Sequence, residues 1–76
     1  MNKKQLRAEM ILKGDKQTDL ARALGISYQT LSEKMNGKSD FLAKEIQAIR
    51  DRYDLSAEAL VSIFFDPELT KVNMEA

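Results

Sequence analysis

QTDLARALGISYQTLSEKMNG, Gln17 to Gly37, is the stretch on which the fold turns. Leu20, Ala21 and Leu24 fall at i, i+1 and i+4, one apolar stripe of a first short helix. Gly25 stands where that helix has to stop and the backbone needs a positive φ, which glycine adopts without steric cost. Ile26 re-enters the core, and Ser27 is a good N-cap for a second helix that starts at Tyr28. Leu31 and Met35 point inward from that helix, while Tyr28, Gln29, Ser32 and Glu33 share an outer face. Ala21 is small, as the close approach of two steeply crossed helices with so short a turn requires. The spacing predicts helix-turn-helix geometry, which can offer its second helix to a DNA major groove.

Outward from this stretch the chain reads as further short helices. One over Lys3 to Lys13 carries Leu6, Met10 and Ile11 as its apolar stripe and Lys3, Lys4 and Arg7 on a basic side, with Gly14 as its stop. Helix two covers Gln17 to Leu24, and helix three runs from Tyr28 to Met35 or Asn36. After Gly37, Phe41 is expected to pack back as an anchor. A fourth helix over Leu42 to Tyr53 places Leu42, Ile46, Ile49 and Tyr53 on one buried stripe. Ser56 caps a fifth helix to about Phe64, with Leu60, Ile63 and Phe64 inward, and Pro67 prevents its extension. The expected architecture is an all-α, compact five-helix domain over residues 1–65, followed by a tail over 66–76 without periodicity.

Composition narrows the function. Seventy-six residues make one small domain, and a chain of that size buries only about 60% of its unfolded surface. It has no Cys and no His, so it lacks thiolate and imidazole ligands and the commonest general base; no metal site, cofactor or catalytic group is expected. No apolar run approaches ~20 residues and the first residues are polar, which predicts neither a membrane span nor a signal peptide. Net charge is zero, but its distribution is uneven. Residues 1 to 38 carry eight cations against four acids, a net +4; residues 39 to 76 carry four against eight, a net −4. A phosphate backbone responds to the field within a Debye length of ~8 Å, so the basic half that holds the motif counts for more than the sum.

The residues Gln17, Leu20-Ala21, Leu24-Gly25-Ile26-Ser27, Leu31 and Asn36-Gly37-Lys38 resemble the Cro/repressor-type, lambda-repressor-like helix-turn-helix family of phage and bacterial regulators. The likeness is closest to small phage-encoded members that continue, as here, with Lys38-Ser39-Asp40-Phe41 and a later Asp54-Leu55-Ser56; it covers about residues 4 to 65. One departure is Lys16, where the family usually has Ser or Thr; Asp15 is the expected substitute cap, with Asp19 suiting the positive end of the helix dipole. The resemblance implies a sequence-specific, double-stranded-DNA-binding transcriptional regulator, a Cro-like repressor of a phage or prophage in the bacterial host cytoplasm, with its recognition helix, residues 28–36, in the major groove.

Contacts that position a protein on phosphates differ from those that read bases. Gln17 sits where free N–H groups favour a phosphate, and the resemblance gives it that contact. Ser27, Lys34, Asn36, Lys38 and Arg7 are further phosphate candidates, although Ser27 is first an N-cap and Asn36-Gly37 is also an ordinary helix-ending pair. For base reading Gln29 leads, because its amide can pair bidentately with adenine, a contact worth ~1–3 kcal/mol of discrimination. Tyr28 either meets a thymine methyl and a phosphate or packs over the turn; Ser32 suits a direct or water-bridged contact. Glu33 either accepts from cytosine N4 or repels wrong sites. Family members usually bind as dimers on half-sites ~10 bp apart; here the groups for a homodimer are Val61, Phe65, Leu69 and Val72, the alternative being that Phe65 folds under the tail of a monomer. A different class of function is a protein-interaction module, antirepressor or toxin-neutralising, that keeps the fold without DNA binding. Glu33 and the zero net charge favour it; Gln17, Gln29, Asn36 and Lys38 weigh against it. No small-molecule ligand is expected.

Overall fold

Local capping chemistry sets the first boundary. The Asn2 carboxamide oxygen accepts the Gln5 N–H at 3.0 Å, satisfying a donor that the first helical turn leaves without an intrahelical partner. The computed structural model describes residues 1–65, and its regular structure there is entirely helical, with no strand. The order is α1 (Lys3–Lys13), α2 (Gln17–Leu24), α3 (Tyr28–Met35), α4 (Ala43–Tyr53) and α5 (Ala57–Phe64). Ser27 and Ser56 cap α3 and α5 through their hydroxyls, which accept from the Thr30 and Ala59 N–H groups at 3.0 and 3.1 Å. Gly25 ends α2 at φ +70° in the left-handed region, and its neighbour's N–H closes the turn, Ile26 N–H to Ala21 carbonyl at 3.1 Å. Asp54 ends α4 the same way at φ +50°, a conformation that a short acidic side chain tolerates better than most.

Each helix contributes one fully buried aliphatic side chain: Leu6, Leu20, Leu31, Ile49 and Ile63. Burial of one such side chain is worth about 1.5–3 kcal/mol. Met10, Ala21, Met35, Tyr53 and Leu55 complete the core, with Phe41 and Phe64 against it. Phe41 does pack back from its loop, edge-on to Phe64 with ring centroids 5.4 Å apart. Three expected core positions are corrected. Ile11 is 76% exposed, because it lies about 100° round α1 from Met10 and the Leu6–Met10 stripe already fills the contact. Leu42 is the N-cap of α4 rather than its first residue and is exposed, while Ile46 is only half-buried.

Two ion pairs, one part-buried and one buried, tie distant segments together. Asp15, expected to cap α2, does not. Asp19 Oδ2 accepts the Lys16 N–H at 2.8 Å instead. The Asp15 carboxylate reaches α4, accepting from Arg52 Nε (2.6 Å), from Arg52 Nη2 (2.8 Å) and from the Tyr53 hydroxyl (2.7 Å). The Arg52 guanidinium holds its carboxyl down at about 2 against the opposing cost of burial, with the Tyr53 hydroxyl assisting. Burial, then the hydrogen bond to Asp15, pushes the Tyr53 phenol above the ordinary tyrosine range. The second pair joins α3 to α4. Lys34 is only 9% exposed; its ammonium donates to Glu45 Oε1 and to the Asp40 carbonyl, both at 2.9 Å, and lies 5.9 Å from the Phe41 ring centroid. Glu45 Oε1 also accepts the Leu42 N–H at 2.8 Å. Burial raises the Glu45 carboxyl, but the Leu42 N–H and the Lys34 ammonium outweigh it, leaving it below the usual range.

These pairs make two stability predictions. A carboxylate whose folded pKa is depressed adds stability above its unfolded value, near 4, and that stability is lost as pH falls through the folded value. Asp15→Asn should therefore cost about 1.5–3 kcal/mol at neutral pH, and its deficit relative to the parent chain in urea unfolding should shrink as pH falls from about 4 through 2. A deficit independent of pH would exclude the charge as its source. Lys34→Met keeps the aliphatic stem but strands a buried carboxylate, so it should cost about 3–5 kcal/mol in the same assay. Lys34→Met combined with Glu45→Gln should recover part of that loss, as measured by the double-mutant cycle.

Candidate nucleic-acid interface

The three-residue connection Gly25–Ser27 brings α2 and α3 into contact with each other. Leu20 and Ala21 on α2 and Leu31 and Met35 on α3 are buried, which turns the opposite side of α3 outward. Tyr28 is 55% exposed, Gln29 and Glu33 are exposed, and Ser32 is half-buried. Among the described residues, none of the side chains of Tyr28, Gln29 and Glu33 is engaged in a hydrogen bond or ion pair. Four of the expected base-reading positions therefore share one polar strip that begins at the first turn of α3.

The expected phosphate ligands fall into separate groups. Gln17 is the first residue of α2 and half-buried. Ser27, at the start of α3, has its hydroxyl in local use, accepting from the Thr30 N–H and donating to Thr30 Oγ1 at 2.9 Å. Asn36 and Lys38 lie exposed at the other end. There the chain leaves α3 through Gly37 at φ +80°, with the Lys38 N–H bonded to the Glu33 carbonyl at 2.9 Å. Arg7 is exposed on α1. Lys34 is the correction: its ammonium is buried and spent on Glu45 and Asp40, so it is a structural cation and not a surface ligand. A sequence signal for this existed, since Leu31, Lys34 and Met35 fall at i, i+3 and i+4 on the buried stripe.

One residue of the site was noted only as part of a basic helix side. Lys3 Nζ donates to Asn36 Oδ1 at 2.8 Å, across thirty-three positions of chain. The Asn36 amide nitrogen in turn lies 3.4 Å from Ser32 Oγ. Arg7, one helical turn beyond Lys3, shares its side of α1. Nothing local in the sequence pairs Lys3 with Asn36; only the tertiary fold brings the start of α1 within reach of the residue that ends α3.

Of the expected homodimer groups, Val61 and Phe65 are exposed one turn apart on and just after α5, while Leu69 and Val72 lie outside the described residues. Among those residues no helix is long and apolar enough to cross a membrane, and no group of three or more metal-ligating side chains comes together. Comparison with curated proteins found no match, and comparison with solved structures found none. The model of the family DUF739, described as a protein of unknown function, matches residues 2–67, most of the chain, and the chain therefore belongs to that family.

Proposed function

We propose that this chain is a sequence-specific, double-stranded-DNA-binding transcriptional regulator, a Cro-like repressor of a phage or prophage acting in the bacterial cytoplasm. In this reading α2 and α3 form a helix-turn-helix, and α3 enters the major groove. The observation that carries it is the outer strip of α3. Tyr28, Gln29 and Glu33 are turned to solvent with no partner among the described residues, whereas the same helix is anchored by Leu31, Met35 and a neutralised Lys34. A polar strip held on so firm a base has the form of a base-reading surface. The resemblance to repressor-type sequences and the +4 charge of residues 1 to 38 agree with it.

Gln29 reads a base in this arrangement, while Gln17, Asn36, Lys38 and Arg7 bind backbone phosphates. Two copies occupy a two-fold site, paired through the exposed Val61 and Phe65. The other reading, a protein-interaction module, draws on Ile11 and Leu12, 76% and 82% exposed side by side on α1, since contiguous exposed apolar side chains mark contact surfaces more often than isolated ones do.

Selection of bound sites from a random duplex pool, followed by salt titration on the winner, separates the two. A DNA binder that neutralises Z phosphates loses affinity with a log–log slope near −0.9Z, and the selected site should show two-fold symmetry. Absence of any salt-dependent duplex binding would leave the protein-partner reading. Gln29→Ala should abolish preference at one base position, at about 1–3 kcal/mol, with nonspecific affinity unchanged. Uniform weakening on every duplex would instead assign Gln29 to the backbone contacts.

A further inference from the structure

Helix ends carry fields that oppose one another. The C-terminal end of α3 is the negative end of the helix dipole, equivalent to roughly half a negative charge, and disfavours phosphate. Glu33 adds a full negative charge in the last turn, and the one cation on α3, Lys34, is cancelled by Glu45. Asn36 as a phosphate ligand in that field needs a cation from elsewhere. Lys3 supplies one, 2.8 Å from the Asn36 amide oxygen, and Lys38 is exposed two residues further on.

Resting on the DNA-binding reading above, we infer that Lys3 is a phosphate-binding and positioning residue, which together with Asn36 and Lys38 forms a clamp for one backbone phosphate at the end of α3. An ammonium has three donors and no acceptor. One is used on Asn36, which leaves two for a phosphate oxygen. The same bond sets the Asn36 side chain, since only its oxygen can accept from an ammonium; the amide nitrogen is then turned away from Lys3, toward Ser32 Oγ at 3.4 Å, its one acceptor among the described residues.

The backbone beside Lys3 is held in place. The Asn2 N–H donates to the Ile63 carbonyl of α5 at 2.6 Å, and Ser62 Oγ donates to Gln5 Oε1 at 2.6 Å. Residues on both sides of Lys3 are thereby anchored to α5, so its stem starts from a fixed point and little ordering is left for binding. Arg7, one turn further along the same side of α1, is exposed and adds a second cation to that edge.

The test compares the full chain with its Lys3→Met, Lys3→Arg and Asn36→Ala variants, by fluorescence anisotropy on the duplex selected by the parent chain and on a scrambled duplex. Lys3→Met keeps the aliphatic stem and removes the charge. Its salt slope should be shallower by about 0.9, so that the parent's advantage shrinks about 3–4-fold between 50 and 200 mM salt. The loss should be equal on both duplexes, and Lys3→Arg should restore it. Lys3→Met and Asn36→Ala should combine less than additively if one orients the other. Thermal unfolding without DNA should be the same for Lys3→Arg and the parent, which separates binding from folding. An unchanged slope in Lys3→Met, or failure of a folded Lys3→Arg to restore it, overturns the role of Lys3 while the DNA-binding reading stands. If the parent chain shows no salt-dependent binding to any duplex, the DNA-binding reading fails and the clamp fails with it.

Discussion

Glu45 Oε1 receives two hydrogen bonds, from the Leu42 N–H and from the Lys34 ammonium, and through them the far end of α3, the loop after it and the start of α4 are held as one unit. The ammonium adds a third strand to this knot through the Asp40 carbonyl. Removing two charges from water is costly, and a buried pair holds only where its remaining donors and acceptors are also satisfied. Here each buried side-chain nitrogen and oxygen among the described residues has at least one hydrogen-bond partner. The other end of α3 is set by Gly25 and the Ser27 cap. Between these two fixed ends the helix has its inner face in the core and its outer face free, and the candidate interface is simply what remains.

The second ion pair has a comparable role at the other end of α4. Asp15 leaves the short connection between α1 and α2 and takes three donors from α4, thirty-seven and thirty-eight residues away. A domain with five fully buried aliphatic side chains has few apolar contacts to spare for fixing the angle between its helices. Directional bonds from a carboxylate do that job, because they fail on a displacement that a greasy contact would tolerate. Asp19 meanwhile serves the start of α2, so one acid of the pair Asp15 and Asp19 is a cap and the other a tether.

Periodicity located most of the architecture because the features concerned are local. Five helices, their order, the Gly25 turn and the Ser27 and Ser56 caps follow from spacings of three and four residues and from residues with one strong backbone preference. Errors arose where a residue's surroundings come from elsewhere in the chain. Ile11 matches an apolar stripe, yet Leu6 and Met10 are the residues of α1 that reach the core, and Ile11 stays exposed beside them. Lys34 looked like a surface cation because charge usually means exposure; its place on the inward spacing was the competing signal, and the acid at position 45 decided between them. Asp15 has the start of the nearest helix within reach in the sequence, yet its partners lie in the fourth.

What the chain's order of residues determined by itself is the all-helical character, the joint at Gly25, and the polar strip of Tyr28, Gln29, Ser32 and Glu33, since each depends on backbone preferences and a repeat of 3.6 residues. Only the tertiary structure decided which charged groups face solvent and which are consumed inside, and that Lys3 stands beside Asn36. The reason is physical: a side chain's protonation, partners and exposure depend on atoms within a few ångströms, and chain folding brings those together without regard to their separation in sequence.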